Sequence, residues 1–247
     1  MEIFVQSTLD STSQPSLFYR AKGERRPLLI GLHTWSFNRF NQIENMLPYA
    51  EKYDFNLLLP EFRGPNKQDN PEYQKACGSE YAVQDVFDAI EYVKTHFAVD
   101  EENVFLLGAS GGGQVALLCG EKNPKLFKAI GAFVPVCDLQ RWGKENPWYA
   151  RLIDDCCNGS EEEMQKRSPA FYAQALCKAN LKIFHGKFDK VVSVQQSLDL
   201  YAEIMRMDPT ARVFLDVFDG GHEINMDVAF AWLLSQYQKD ELTKVTG

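Results

Sequence analysis

The sequence predicts an α/β protein: a mostly parallel central sheet of about eight strands with helices on both faces and a small helical cap inserted in it. Two observations carry this expectation. Apolar runs of strand length alternate with amphipathic segments of helix length along most of the 247 residues, the order that builds a covered parallel sheet. A glycine-bounded serine also stands where one such strand turns into a helix.

Ile3 to Thr8 and Ser16 to Arg20 read as a hairpin or two edge strands, and Pro27 to His33 as an apolar strand with a polar end. Ile43 to Tyr53 then reads as a helix, Phe55 to Pro60 as a strand, and Phe62 to Cys77 as a loop rich in Pro, Asn and Gly. From Ser79 to Phe97 the apolar residues Val83, Val86, Phe87, Ile90 and Val93 recur at helical spacing. Asp85, Asp88 and Glu91 are expected on the opposite, polar side of that helix.

Asn103 to Leu107 is a short buried strand, and Gln114 to Glu121 a helix stopped by Asn123-Pro124. Ala129 to Val136 is again strand-like. Residues 138–180 hold no run long enough for a core strand and far exceed an ordinary connection. They are expected to form the cap, within a single domain spanning residues 1–247. Its aromatic residues Trp142, Trp148 and Tyr149 are candidates to line a substrate pocket, the alternative being a small core of the cap's own. Strand Leu181 to His185, helix Ser193 to Met207, strand Ala211 to Phe218 and a closing helix from about Glu223 to Lys239 complete the pattern.

One substantial core fits a chain that is 45% hydrophobic and 13% aromatic. The net charge of -8 is spread without a basic stripe, so nucleic acid is not an expected partner. No run approaches the roughly 18 apolar residues of a membrane span. Met1 to Asp10 lacks a cationic start and a long apolar run, and the six cysteines make no CxxC spacing. A soluble, cytoplasmic protein is therefore expected, with Cys119 and Cys137 packing as small hydrophobes.

The chemistry is carried by Gly108-Ala109-Ser110-Gly111-Gly112, placed between the strand Asn103 to Leu107 and the following helix. A sharp strand-to-helix turn of this kind exposes a serine hydroxyl at a helix start, where backbone N–H groups and a positive dipole end face the reacting centre. A serine hydroxyl needs a base, and the chain has four histidines: His33, His96, His185 and His222. The order nucleophile, acid, histidine selects His222, which lies in Gly220-Gly221-His222-Glu223 after the last strand. His96 reads as a surface or capping residue and His185 as structural. Asp189, just after the penultimate strand, is the expected acid; Asp138 is the rival and Asp219 reads as a shaper of the histidine loop. An oxyanion would take one donor from the Gly111 backbone N–H. The other would come from the loop His33-Thr34-Trp35, assigned to the Trp35 N–H with Thr34 as the alternative.

These residues resemble the α/β-hydrolase superfamily, and more narrowly the small esterases related to the catalytic domain of prolyl oligopeptidases. The resemblance spans nearly the whole chain through Leu32-His33-Thr34-Trp35, Pro60-Glu61-Phe62-Arg63-Gly64, the Asp85 to Val93 helix, Gly108 to Gly112, His185-Gly186-x-x-Asp189 and Gly221-His222. It implies Ser110, Asp189 and His222 as a triad, with Trp35 and Gly111 as the oxyanion hole. Two departures stand out: Thr34 and bulky Trp35 replace the usual small residues, and nothing is long enough to be a propeller domain. The expectation is thus a carboxylic ester hydrolase working through an acyl-enzyme on a small-molecule ester, with no metal or organic cofactor. The alternatives are a peptidase or aminopeptidase on short peptides using the same residues, and a non-catalytic receptor on the same fold.

Overall fold

The computed structural model describes residues 1–245, with side chains to residue 237. Its eight strands form one sheet in the order β1-β2-β4-β3-β5-β6-β7-β8. β1 (Glu2–Gln6) and β2 (Ser13–Tyr19) pair as an antiparallel hairpin, and β2 is antiparallel to β4 (Asn56–Pro60). From β4 onward every pairing is parallel, through β3 (Arg26–Leu32), β5 (Val99–Ala109), β6 (Ala129–Phe133), β7 (Leu181–Gly186) and β8 (Val213–Phe218).

The near-continuous apolar strands follow from cover on both faces, because successive side chains point to opposite sides. Leu28, Ile30, Val104 and Leu106 enter one core, under α2 (Glu80–His96), α3 (Gly111–Lys122) and α8 (Val194–Met207). Leu29, Phe105 and Leu107 enter the other, under α1 (Ile43–Tyr53) and α9 (Met226–Val245). The segment between β6 and β7 carries four short helices, α4 (Leu139–Glu145), α5 (Pro147–Cys156), α6 (Glu161–Lys166) and α7 (Ala173–Leu176). Trp142, Ile153, Cys156 and Cys157 from this segment join Trp35, Cys77 and Val136 in a third apolar cluster.

The polar face expected of α2 is partly inverted. Asp85 and Asp88 are buried, because each has a partner that repays its desolvation. Asp88 accepts from the Thr8 N–H at 2.7 Å and from its hydroxyl. Asp85 binds Arg63, whose side chain is wholly buried and sits at a positive φ of 75°. Arg63 also meets Asp10 at 2.9 Å, Glu72 at 2.7 Å and the Ser7 hydroxyl at 3.0 Å. Burial alone would lower its pKa, but these acceptors raise it, and the guanidinium in turn, with Lys75 and Thr12, holds the Asp10 carboxyl well below the usual range. The hairpin end, the β4–α2 loop and α2 are thereby tied at one buried cation.

Candidate active site

The β5–α3 turn is fixed by backbone contacts. Ser110 adopts φ 55° and ψ -120°, a conformation that costs an ordinary residue about 1–3 kcal/mol and persists only where its surroundings enforce it. They do so here: the Ser110 N–H donates to the Phe133 carbonyl at 2.9 Å, and its carbonyl accepts from the Gln114 N–H at 3.0 Å. A methyl group at Gly112 would stand 2.5 Å from the His33 oxygen and 2.7 Å from the Leu32 oxygen. One at Gly111 would stand 2.9 Å from the Trp35 Cα and 3.0 Å from its backbone nitrogen. Glycines therefore let the start of α3 press against the loop after β3, bringing the backbones of Gly111 and Trp35 together.

Within that loop the two candidate donors differ. The Thr34 N–H is engaged, donating to Asn41 Oδ1 at 3.0 Å. The Trp35 N–H makes no hydrogen bond among the described residues, while its carbonyl accepts from the Asn66 N–H at 2.8 Å. His33 stacks on Phe62 at 3.9 Å, and burial pushes its pKa down despite the neighbouring Thr34 and Glu61 carbonyls.

β7 and β8 present the acid and the histidine. Asp189 Oδ2 lies 2.7 Å from His222 Nδ1, and Asp189 Oδ1 accepts from the Val191 and Val192 N–H groups at 2.7 and 3.0 Å. Facing a carboxylate, Nδ1 carries the hydrogen and Nε2 is left with a free lone pair. The two loops are stitched by the Lys187 N–H to Phe218 carbonyl and Phe188 N–H to Gly220 carbonyl bonds, both 2.9 Å. Burial would raise the pKa of Asp189, but hydrogen bonds from His185, His222 and the Val192 N–H hold it well below the ordinary carboxylate range.

His185 is fully buried, with Nδ1 2.7 Å from the Ser197 hydroxyl and Nε2 2.9 Å from the Val192 carbonyl and 3.3 Å from Asp189 Oδ2. Both neighbours of Nε2 are acceptors, so Nε2 donates and the ring supports the acid from behind. Asp138 caps α4, accepting from the Arg141 N–H at 3.0 Å. His96 lies against Tyr92 at 4.0 Å on α2.

The three aromatics expected to line a pocket are placed very differently. Trp142 is 1% exposed, edge-on to Trp35 at 4.9 Å and stacked on Tyr149 at 4.1 Å. Trp148 is 79% exposed, with no ring contact or hydrogen bond among the described residues. Sequence reasoning missed Asn41, which reaches Thr34 from seven residues away and leaves no signal in spacing. It also missed the support His185 gives the acid, which the His185-x-x-x-Asp189 spacing on one strand end could have suggested. No group of three or more His, Cys, Asp or Glu side chains among the described residues is arranged to hold a metal ion.

A sheet of this order, with a positive-φ serine between β5 and α3 and an Asp–His pair after β7 and β8, defines an α/β-hydrolase fold. Residues 44–238 match the prolyl oligopeptidase family, and the chain belongs to it. Among curated relatives, it is similar to S-formylglutathione hydrolase of Rattus norvegicus, 30% identical over 116 residues, which is 44% of this chain and 38% of that protein. The same enzyme of Bos taurus is 42% identical over 57 residues, 22% of this chain and 20% of the relative. The matched stretches thus span less than two fifths of these relatives. Solved structures share the fold. The Pyrococcus horikoshii acylaminoacyl peptidase superposes with a TM-score of 0.71 at 18% identity, over 90% of this chain and 37% of that one. A Mycobacterium tuberculosis puromycin-hydrolyzing peptidase does so with 0.74 at 15%, over 91% and 36%.

Proposed function

We propose that this protein is a serine hydrolase of small carboxylic esters, working through an acyl-enzyme. The reading rests on one observation above the others: the 2.7 Å contact between Asp189 Oδ2 and His222 Nδ1, in a chain whose Ser110 is held at φ 55° at a helix start. His222 Nε2 takes the proton as Ser110 Oγ attacks the ester carbonyl carbon. Asp189 fixes the tautomer and stabilises the imidazolium. The oxyanion forms against the N–H groups of Gly111 and Trp35, each such donor being worth roughly 10²–10³ in kcat. The imidazolium returns its proton to the leaving alkoxide, and water then cleaves the acyl-enzyme by the same route.

The similarity to S-formylglutathione hydrolases extends the candidate substrates to small thioesters. Membership of the prolyl oligopeptidase family favours a second reading, hydrolysis of short peptides by the same residues. A cytoplasmic setting is supported by the six unpaired cysteines. No helix among the described residues is long and apolar enough to cross a membrane. The test is fluorophosphonate labelling of wild type and Ser110→Ala, beside a panel of p-nitrophenyl esters, S-acyl thioesters and aminoacyl anilides. Labelling that survives in Ser110→Ala sinks the serine assignment, and turnover of anilides over esters hands the substrate to the peptidase reading.

A further inference from the structure

The acid and the oxyanion loop lie on separate strand ends, and one side chain from α4 touches the supports of both. The Trp142 indole N–H donates to the Val191 carbonyl at 2.7 Å. That carbonyl belongs to the same peptide unit as the Val192 N–H, which donates to Asp189 Oδ1 at 3.0 Å. The unit is rigid and planar, so holding its oxygen sets the direction of its N–H. With Oδ1 occupied by this N–H and by that of Val191 at 2.7 Å, Oδ2 is left for His222. On its other side the Trp142 ring meets Trp35 at 4.9 Å and 74°, backed by Tyr149. Trp35 in turn presents its backbone nitrogen toward Gly111.

We infer that Trp142 is a positioning residue that braces the acid loop and the oxyanion loop against each other. Its N–H orients the Val191–Val192 peptide behind Asp189, and its ring sets Trp35. The inference rests on the reading of Ser110, His222 and Asp189 as a triad. It gives the segment between β6 and β7 a task other than roofing a pocket. Asn146, whose Nδ2 reaches the same carbonyl at 3.3 Å, assists it.

Trp142→Phe keeps a ring against Trp35 and Tyr149 and removes only the N–H. Its kcat on a p-nitrophenyl ester is expected to fall roughly tenfold or more through misplacement of the acid, with KM changed less than about twofold. In an Asp189→Asn background the same substitution should cost less than about threefold, because residues acting through one another are not additive. Equal losses in both backgrounds, or a kcat for Trp142→Phe within about twofold of wild type, overturn the inference. If Trp142→Phe does not fold, Asn146→Ala decides: a kcat loss of roughly two- to threefold that vanishes with Asp189→Asn supports it, and an unchanged kcat overturns it. Ester turnover by wild type that is lost in Ser110→Ala is the control. Its absence would sink the triad reading and the brace with it, whereas turnover lost in Ser110→Ala but kept in Trp142→Phe would overturn the brace alone.

Discussion

The turn at Ser110 and the loop at His222 are built on different physical terms, although the proposed reaction would need both. Around Ser110 the backbone is walled in: α3 presses on the loop after β3 so closely that Gly111 and Gly112 have no room for a methyl group. Around His222 the chain is open. A methyl group at Gly221 would meet no heavy atom within 4 Å, and the His222 side chain is 22% exposed. Ser110 is thus placed by excluded volume and His222 by a hydrogen bond to a buried carboxylate. The first kind of constraint fails by unfolding, the second by misorientation.

The sharpest way to break the comparison is to remove each chemical group. Ser110→Ala and His222→Ala should each cost roughly 10⁴-fold or more in kcat with the fold intact, and the double variant little more than either. Additive losses in steady-state kinetics would show that the two sites do not act as a unit. Asp189→Asn should lower kcat by roughly 10⁴-fold through the wrong tautomer. Asp138→Asn, which leaves an adequate helix cap, should stay within about threefold. The opposite ranking would move the acid role to β6.

The constraints on the turn are read in stability. Gly112→Ala should lose about 3 kcal/mol or more, since backbone oxygens rather than a flexible side chain meet the new methyl group. A urea midpoint unchanged by that substitution would refute the close approach. Asp189 offers a pH-dependent counterpart on the histidine side. Its depressed pKa contributes stability above the ordinary carboxylate range, lost as pH falls through about 4 toward the folded value. The stability gap between wild type and Asp189→Asn should therefore narrow between about pH 6 and pH 2 in urea titrations. Gly221→Ala is the smallest expected effect, within about 0.5 kcal/mol.

Much of the architecture was legible because it follows from periodicity and punctuation. α1 runs over Ile43–Tyr53 as expected, and eight strands lie along the chain close to the apolar runs that predict them. Boundaries failed where local polarity hid a strand or strain ended one. β5 begins at Val99 although Asp100, Glu101 and Glu102 follow. β6 stops at Phe133 because Val134 turns to φ 41°. At the site, chain order singled out Asp189 and His222, which the fold brings into contact. That the Thr34 N–H is taken up by Asn41 is a tertiary contact and leaves no trace in the spacing. The burial of Asp85 was likewise invisible, since its partner Arg63 sits in a loop and a lone charge on a helix reads as solvent-facing.

That buried cation bears on how the chain can be shortened or fused. The hairpin β1–β2 lies at the sheet edge, where trimming usually costs little. Here residues 7 and 10 supply a hydroxyl and a carboxylate to a guanidinium with no solvent exposure. Stripping partners from a buried ion costs roughly 3–5 kcal/mol. A library of amino-terminal deletions should therefore lose stability first at Ile3 and Val5, which enter the core, and then abruptly at Ser7. An appended domain would need a linker that leaves the turn between the two strands seated in its socket.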